Sequence, residues 1–333
     1  MKQLLIILCV AFQICILAYM AIDREHLLAT GKTVVLLSAP IDPRDVMRGD
    51  YIRLDCDISK IPMWKTEGSL RYQQEGYRSS ATLYTVLKTD ENGVSSLDYA
   101  TNEKPDEDIL FLKGSFKPSR YSNARYIDIK YGIEKYFVEQ GSGKAIENRR
   151  GTSGSIQTPL RIDLAVGSKG EAAIKGFEWN RLGIGLTRLI EKGEPMSNPE
   201  GITLKIMLQN VSEQTLGIVD LPFYNSFILK PAHRCSQDWK PNIMPALQTP
   251  TDDDVIILQP GQFTSFIFDL SDPRWFIMKD GSPVSTGSLD WMEMFRIVYQ
   301  PPNSQQCNHL KRASIIWHGA LPSRSFHGAG YID

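Results

Sequence analysis

The chain has 333 residues and a formal net charge of −1, and 42% of its residues are hydrophobic, so it is long enough for about two folded domains. Its 37 Lys and Arg residues balance its 38 Asp and Glu residues, which argues against a nucleic-acid-binding protein, because such proteins carry a basic excess. The 19 prolines and 25 glycines are spread between many short apolar runs, a composition that favours a turn-rich, mainly β protein.

The first predicted element is a transmembrane helix within residues 1–22. The run Leu4–Ile22 contains no charged residue, and at ~1.5 Å per residue it is long enough to cross the hydrocarbon core. A cleaved signal peptide is the alternative, but cleavage requires small residues at positions −3 and −1. A cut after Ala21 would place Tyr19 at −3, and a cut after Ala29 would place Leu27 there. The sequence therefore favours an uncleaved anchor.

The charges beside this run predict its orientation. Lys2 and the amino terminus precede the run, whereas Asp23, Arg24 and Glu25 follow it, so the N-terminal side is the more positive one. The positive-inside rule then predicts a single-pass protein of the cytoplasmic (inner) membrane, with most of the chain on the extracytoplasmic, periplasmic side. Residues 23–32 are predicted to form a short tether between the anchor and the first domain.

A first β domain is predicted over residues 33–177, because short apolar segments alternate there with turn clusters. Within Tyr51–Ile58, side chains alternate between a polar face and an apolar face, and Cys56 lies on the apolar face with Leu54. We therefore expect Cys56 to be a buried thiol. The predicted strands of this domain are Thr33–Ser38, Tyr51–Ile58, Ala81–Lys88, Ile109–Phe116, Tyr126–Tyr131, Arg161–Val166 and Glu171–Lys175.

A second β domain is predicted over residues 178–333, with the strand spacing of an immunoglobulin-like β-sandwich. Helical turns are expected only at Gln140–Arg150 in the first domain and at Leu186–Lys192 in the second. Cys235 and Cys307 are predicted to form a disulfide, because both lie in polar, loop-like surroundings and an oxidising location favours a bridge. The predicted strands are Ile202–Val211, Phe223–Lys230, Val255–Leu258, Phe263–Leu270, Met294–Gln300 and Ser314–His318.

Two separated motifs connect the first domain to a known family. The first is Gly49-Asp50-Tyr51-Ile52-Arg53-Leu54, a turn that leads into a strand. With it, the chain resembles the GDYXXLXY family of membrane-anchored bacterial proteins over residues 33–177. The resemblance implies a membrane-anchored module and implies no activity. The second motif lies in Lys130–Glu147, where the matching residues are Tyr131, Gly132, Glu134, Tyr136, Phe137, Glu139, Gly141, Gly143 and Glu147.

We expect the two motifs to meet in space, because both place aromatic and acidic residues at strand ends. The alternatives are purely structural roles: Asp50 only forms a turn, and Glu134 and Glu139 only make surface ion pairs. The leading function is that of a membrane-anchored binding or accessory protein, and the rival is an envelope enzyme that uses an Asp/Tyr/Glu cluster beside the turn. The candidate functional surface consists of Asp50, Tyr51, Tyr131, Glu134, Tyr136 and Glu139.

The spacing of potential metal-binding and phosphate-binding residues favours the hypothesis of a non-enzymatic protein. The five histidines show no His-x₃-His or His-Glu-x-x-His pattern, and Gly141-Ser142-Gly143-Lys144 lacks the earlier glycine and the following Ser or Thr of a phosphate-binding loop. The sequence therefore predicts no metal, no cofactor and no catalytic residue. The expected partners are the membrane and a membrane or envelope protein, and no nucleic acid.

Overall fold

The computed structural model of the chain describes residues 2–41, 51–67, 80–90, 93–106, 108–117, 126–142, 156–189, 202–232, 249–272, 274–279, 282–285, 293–328 and 332. Strands account for 49% of the structure, and the chain begins with one apolar helix, so the predicted mainly β class with an N-terminal helix is confirmed.

The helix α1 spans Lys2–Thr30. Its segment Gln3–Thr30 is apolar enough to cross a membrane, and none of its most apolar window is buried inside the protein. The helix continues through the predicted tether because Asp23–Thr30 contains neither glycine nor proline. Gly31 then separates α1 from the first strand, and its N–H donates to the carbonyl of Leu27 (2.9 Å). The first domain therefore joins the helix without a flexible tether.

The first sheet of the N-terminal domain has the order β10-β9-β1-β2-β8, and all its strand pairs are antiparallel. The sheet curls so strongly that its two edge strands approach each other, and the ring centroids of Tyr136 and Phe177 lie 5.2 Å apart. Its strands are β1 (Lys32–Ile41), β2 (Tyr51–Cys56), β8 (Lys135–Phe137), β9 (Leu160–Val166) and β10 (Ala172–Trp179).

The second sheet of this domain has the order β3-β7-β6-β4-β5 and is nearly barrel-like. The chain just after β3 returns to β5, where Glu67 N–H donates to the Ala100 carbonyl (2.8 Å), so the two ends of the strand order meet. Both sheets bury their apolar residues in one shared core, which includes Leu36, Leu54 and Leu112. The strands are β3 (Lys60–Pro62), β4 (Ala81–Thr89), β5 (Ser95–Thr101), β6 (Phe111–Phe116) and β7 (Tyr126–Lys130).

The C-terminal half contains several small sheets around a second core. The larger ones have the orders β11-β12-β16 and β14-β19-β20, and β21 also pairs with β19. The remaining strands pair as β13 with β15 and β17 with β18. The strands are β11 (Leu182–Leu189), β12 (Thr203–Asn210), β13 (Leu216–Val219), β14 (Phe227–Pro231), β15 (Val255–Leu258), β16 (Phe263–Asp269), β17 (Phe276–Lys279), β18 (Ser282–Ser285), β19 (Met294–Tyr299), β20 (Leu321–Pro322) and β21 (Phe326–His327), with a short helix α2 (Ser304–Cys307).

Phe227 occupies the centre of this second core. It is 1% exposed, and its ring centroid lies 4.8 Å from that of Phe266 and 5.0 Å from that of Phe268, both on β16. It lies 5.1 Å from the ring centroid of Tyr299 on β19. These contacts show that the β14-β19-β20 sheet packs against the β11-β12-β16 sheet.

Polar contacts join the two halves of the chain. Arg296 on β19 forms a 2.5 Å ion pair with Asp57, which directly follows β2. Nearby, burial and the positive charge of Lys88 lower the pKa of Lys230. Gln157 exchanges two backbone hydrogen bonds with Ile184 on β11 (2.8 and 2.9 Å). The ion pair and the backbone bonds thus fasten the second half to the first at separate points.

Several predicted elements differ from the structure. Leu186–Lys192, predicted as a helical turn, belongs to β11 as far as Leu189. Ser314–His318, predicted as a strand, includes a 3-10 turn at Ala313–Ile315. Of the predicted helical segment Gln140–Arg150, residues 140–142 form a turn and residues 143–150 lie outside the described residues. Besides β11, the prediction omitted eight strands, namely β3, β5, β8, β13, β17, β18, β20 and β21.

Two described cysteines outside the helix are buried. Cys56 is 5% exposed and belongs to the N-terminal core, as its place beside Leu54 predicts. Cys307 is 0% exposed and is present as a thiol, with Sγ 3.9 Å from the Pro302 carbonyl oxygen, and burial raises its pKa. Cys307 is thus unbridged in the structure, and Cys235 lies outside the described residues, so the Cys235–Cys307 disulfide stays a prediction that requires oxidation of both thiols.

Candidate functional site

The two sequence motifs meet as neighbouring antiparallel strands. Tyr51 pairs with Phe137, Ile52 with Tyr136, and Arg53 with Lys135. The contact continues beyond β8, because Leu54 N–H donates to the carbonyl oxygen of Glu134 (2.9 Å). Backbone pairing of β2 with β8 is therefore the physical reason that two segments distant in sequence form one surface.

The outer side of this strand pair carries two aromatic rings and a cation. The ring centroids of Tyr51 and Phe137 lie 6.0 Å apart, and Lys135 Nζ lies 4.9 Å from the Tyr51 ring centroid. At this distance the ammonium is attracted by the negative face of the ring. The Phe137 side chain is 66% exposed, although phenylalanine usually prefers burial. We call Tyr51, Lys135 and Phe137 the β2–β8 surface.

The other two motif tyrosines pack in or against the N-terminal core. Tyr131 is 8% exposed, and its hydroxyl lies 2.7 Å from Thr85 Oγ1 and donates to the Ile58 carbonyl (2.8 Å). Burial raises the pKa of the Tyr131 phenol well above its ordinary value, so the phenol stays protonated at neutral pH. Tyr136 packs against the core and meets Phe177 edge to face. Burial therefore removes Tyr131 from the candidate functional surface, whereas Tyr136 is half-buried and its place in a functional surface stays a prediction.

The acidic residues of the predicted site have separate positions. The Glu134 carboxylate accepts hydrogen bonds from the backbone N–H groups of Tyr131 (2.5 Å) and Gly132 (3.2 Å), and the left-handed φ of Gly132 (83°) completes this turn. Glu139 is exposed, and its carbonyl oxygen accepts from Ser142 N–H (3.0 Å). Asp50 lies outside the described residues. Glu134 thus fixes the chain that leads into β8.

The β2–β8 surface lies far from the end of α1. The strand β1 starts at Lys32, one residue after Gly31, and its last residue, Ile41, pairs with Arg53, which in turn pairs with Lys135. At ~3.3 Å per residue, β1 advances by about 30 Å between these ends. The β2–β8 surface and the helix therefore lie at opposite ends of the same sheet.

Sequence reasoning missed Lys135 and Phe137 as site residues, although both lie inside the second motif. The available signal was the alternation Lys135-Tyr136-Phe137, which places the first and third side chains on one face of a strand and the second on the other. A three-residue strand is too short for this alternation to stand out. Among the described residues, no group of three or more His, Cys, Asp or Glu side chains is arranged to hold a metal ion.

The fold and the site define a mainly β protein with one N-terminal helix that is apolar enough to cross a membrane. Residues 13–177, just under half of the chain, match the family model described as GDYXXLXY protein, which confirms the resemblance for the N-terminal domain and extends it to the part of α1 from residue 13 onward. The match ends at Phe177, within β10. No curated protein and no solved structure matches the chain.

Proposed function

We propose that this protein is a membrane-anchored, extracytoplasmic binding or accessory protein. The observation that carries the proposal is the β2–β8 surface, where an exposed Phe137 and a Lys135–Tyr51 pair lie side by side about 30 Å along β1 from the helix. Aromatic side chains such as Tyr and Phe are enriched at protein–protein interfaces, and tyrosine is enriched among the residues that dominate their binding energies. The partner is a membrane or envelope protein with a part that extends beyond the bilayer.

The exposed side chains of the β2–β8 surface indicate which groups a partner would present to it. The Lys135 ammonium favours an acidic group on the partner, and the rings of Tyr51 and Phe137 favour an apolar pocket beside it. A partner surface with apolar and acidic groups side by side fits both features.

The C-terminal half is proposed to be an immunoglobulin-like β-sandwich that supports this module. The support is the packing of Phe227 on β14 against Phe266 and Phe268 on β16, which joins two sheets across one core. Such sandwiches bury alternate residues of both sheets between them. The burial pattern of β12, in which every second residue is buried, agrees with this arrangement.

The orientation of the chain is a separate prediction. Because Lys2 precedes the apolar run whereas Asp23 and Glu25 follow it, we expect the C terminus to lie outside the cytoplasm. A C-terminal fusion to alkaline phosphatase should be active, and the equivalent fusion to a reporter that works only in the cytoplasm should be silent. The reverse result would overturn the proposed location.

Loss of the β2–β8 surface should abolish partner binding without unfolding the protein. We expect Phe137→Ala and Tyr51→Ala each to weaken binding by about tenfold or more, because truncation of a binding hot spot costs about 2 kcal/mol. A photo-crosslinking residue placed at the exposed Glu139, two residues after β8, would capture the partner from intact membranes, and quantitative mass spectrometry would measure the yield for each variant.

A matched control is available in the C-terminal half. Phe263 on β16 is 60% exposed, so Phe263→Ala removes an equally exposed ring from a different surface. It should leave the crosslinking yield at Glu139 unchanged, and Tyr51→Phe should retain most of that yield because the ring remains. Equal yields for Tyr51→Ala and the unchanged protein would refute this assignment of the surface.

A further inference from the structure

The end of helix α1 is fastened to the turn between β9 and β10. The Arg24 guanidinium donates from Nη1 to the Ala172 carbonyl oxygen (3.1 Å), in the first residue of β10. Further along the helix, Leu27 lies against Gly167, where an added Cβ would come within 3.1 Å of Leu27 Cδ1. The turn is thus held beside the last two turns of the helix, on the membrane side of the N-terminal domain.

Helix geometry places this turn at the level of lipid headgroups. Ile22 is the last residue of the charge-free run, and Leu27 lies about 7–8 Å further along the axis at ~1.5 Å per residue. Arg24 lies only about 3 Å beyond Ile22, and helical side chains lean back toward the N terminus, here toward the membrane. The headgroup layer is about 5–8 Å thick on each side of the hydrocarbon core. A helix that spans the bilayer therefore brings the turn into this layer.

The turn is rigid and presents its polar tip outward. Gly170 N–H donates to the Gly167 carbonyl (3.0 Å), and the Gly170 carbonyl accepts from Lys113 N–H on β6 (2.7 Å). Gly170 has φ +80°, and a Cβ there would meet the Phe111 ring at 2.6 Å, so only glycine fits. Ser168 and Lys169, at the tip, are exposed.

Positive charge predominates around this tip. The acidic residues nearest to them in sequence are Asp23 and Glu25, which flank Arg24, and Glu171, which follows the turn, so the basic residues outnumber them. Lys175, an exposed lysine near this tip, donates one hydrogen bond from Nζ to Thr33 Oγ1 (3.1 Å), and most of its ammonium remains exposed. The basic residues at this end of the sheet, all exposed, are Arg24, Lys32, Lys113, Lys169 and Lys175.

We propose that the β9–β10 turn and the neighbouring lysines Lys32, Lys113 and Lys169 form a binding surface for the phosphate headgroups of acidic phospholipids. This inference rests on the proposed membrane anchor. The contact would hold the N-terminal domain against the membrane at one end and direct the β2–β8 surface away from it at the other. Attraction to an anionic membrane surface acts only within about a Debye length, so it reaches the turn and does not reach Lys135, about 30 Å along the strand.

The test uses the unmodified full chain in lipid nanodiscs. An amine-reactive reagent modifies exposed lysines, and peptide mass spectrometry measures the rate at each lysine in discs of phosphatidylcholine alone or mixed with phosphatidylglycerol. We expect the acidic lipid to slow modification of Lys169 about fivefold, the factor equivalent to the ~1 kcal/mol that one lysine gains near such a surface. Lys135 serves as the internal control and should keep its rate, and high salt should reverse the effect at Lys169.

The outcomes separate this inference from the proposed function. Equal rates at Lys169 in the two lipids, or an equal decrease at Lys135, would overturn lipid binding and leave the anchor and the β2–β8 surface untouched. Failure of the chain to co-elute with the discs would overturn the anchor, and the lipid site with it. As a second measurement, Lys169→Gln should reduce the protection of Lys32 and Lys113, whereas Lys135→Gln should not.

Discussion

Replacement of Phe227 by alanine is expected to lower the free energy of unfolding of the C-terminal half by about 3–5 kcal/mol. The side chain is 1% exposed and contacts rings on two different sheets, those of Phe266, Phe268 and Tyr299. Its removal therefore leaves a cavity between the sheets in addition to the lost transfer of apolar surface from water. Guanidinium unfolding of the full chain in detergent, followed by near-ultraviolet circular dichroism, would measure the change.

The comparison with Phe263 makes this expectation specific. Phe263 belongs to the same sheet as Phe266 and Phe268 but points outward, and 60% of its surface is already exposed. Phe263→Ala should change the free energy of unfolding by only about 0.5 kcal/mol, as is usual for surface positions. Similar losses for the two variants would show that the sheets do not pack through Phe227.

Replacement of Tyr131 by phenylalanine is expected to cost about 2 kcal/mol of stability. The substitution keeps the ring and removes the hydroxyl, which lies 2.7 Å from Thr85 Oγ1 and 2.8 Å from the Ile58 carbonyl oxygen in a buried site. Both groups would then lose a hydrogen-bond partner, and each unsatisfied buried polar group costs about 1–3 kcal/mol. The same unfolding experiment would measure the shift in the transition of the N-terminal domain.

The contrast with Tyr51 separates structural from functional tyrosines. Tyr51 is half-buried on the outer side of β2, so Tyr51→Phe should change stability by about 0.5 kcal/mol or less. If Tyr131→Phe proved as mild as Tyr51→Phe, the buried hydroxyl would not stabilise the domain. If Tyr131→Phe instead removed partner binding at full stability, Tyr131 would belong to the functional site after all.

The sequence was sufficient to predict long or strongly alternating elements. The apolar run that became α1 and the strand containing Leu54 and Cys56 both carry clear patterns. The strand β11 does not, because Gly183 and Gly185 are poor strand formers. Packing nevertheless requires glycine at position 183, because a Cβ on Gly183 would lie 2.5 Å from Ile156 Cγ2, a contact that the sequence does not reveal. Tertiary packing here outweighs local propensity.

For the candidate site, the sequence indicated the two segments but not the side chains. Alternation along β2 correctly placed Tyr51 outside and Leu54 inside. The orientation of Tyr131 depends on contacts with Thr85 and Ile58, which lie 46 and 73 residues away in sequence. Long-range contacts of this kind leave no local signature, so an aromatic motif residue can belong to either the surface or the core.

The pairing of β1 has a consequence for how the protein folds during synthesis. The half of β1 beside the helix, from Lys32 to Ser38, pairs with β9, and Lys32 pairs with Val166. The strand β2 pairs with β1 only from Ser38 onward. At the usual ~5–20 residues per second, β9 is synthesised roughly 6–26 s after β1. Through this interval the apolar segment from Val34 to Leu37 lacks its partner strand, and an unpaired strand is prone to aggregate. The newly synthesised chain therefore needs a chaperone to protect this segment until β9 is available. The native state, in which the segment is paired, shows no such need.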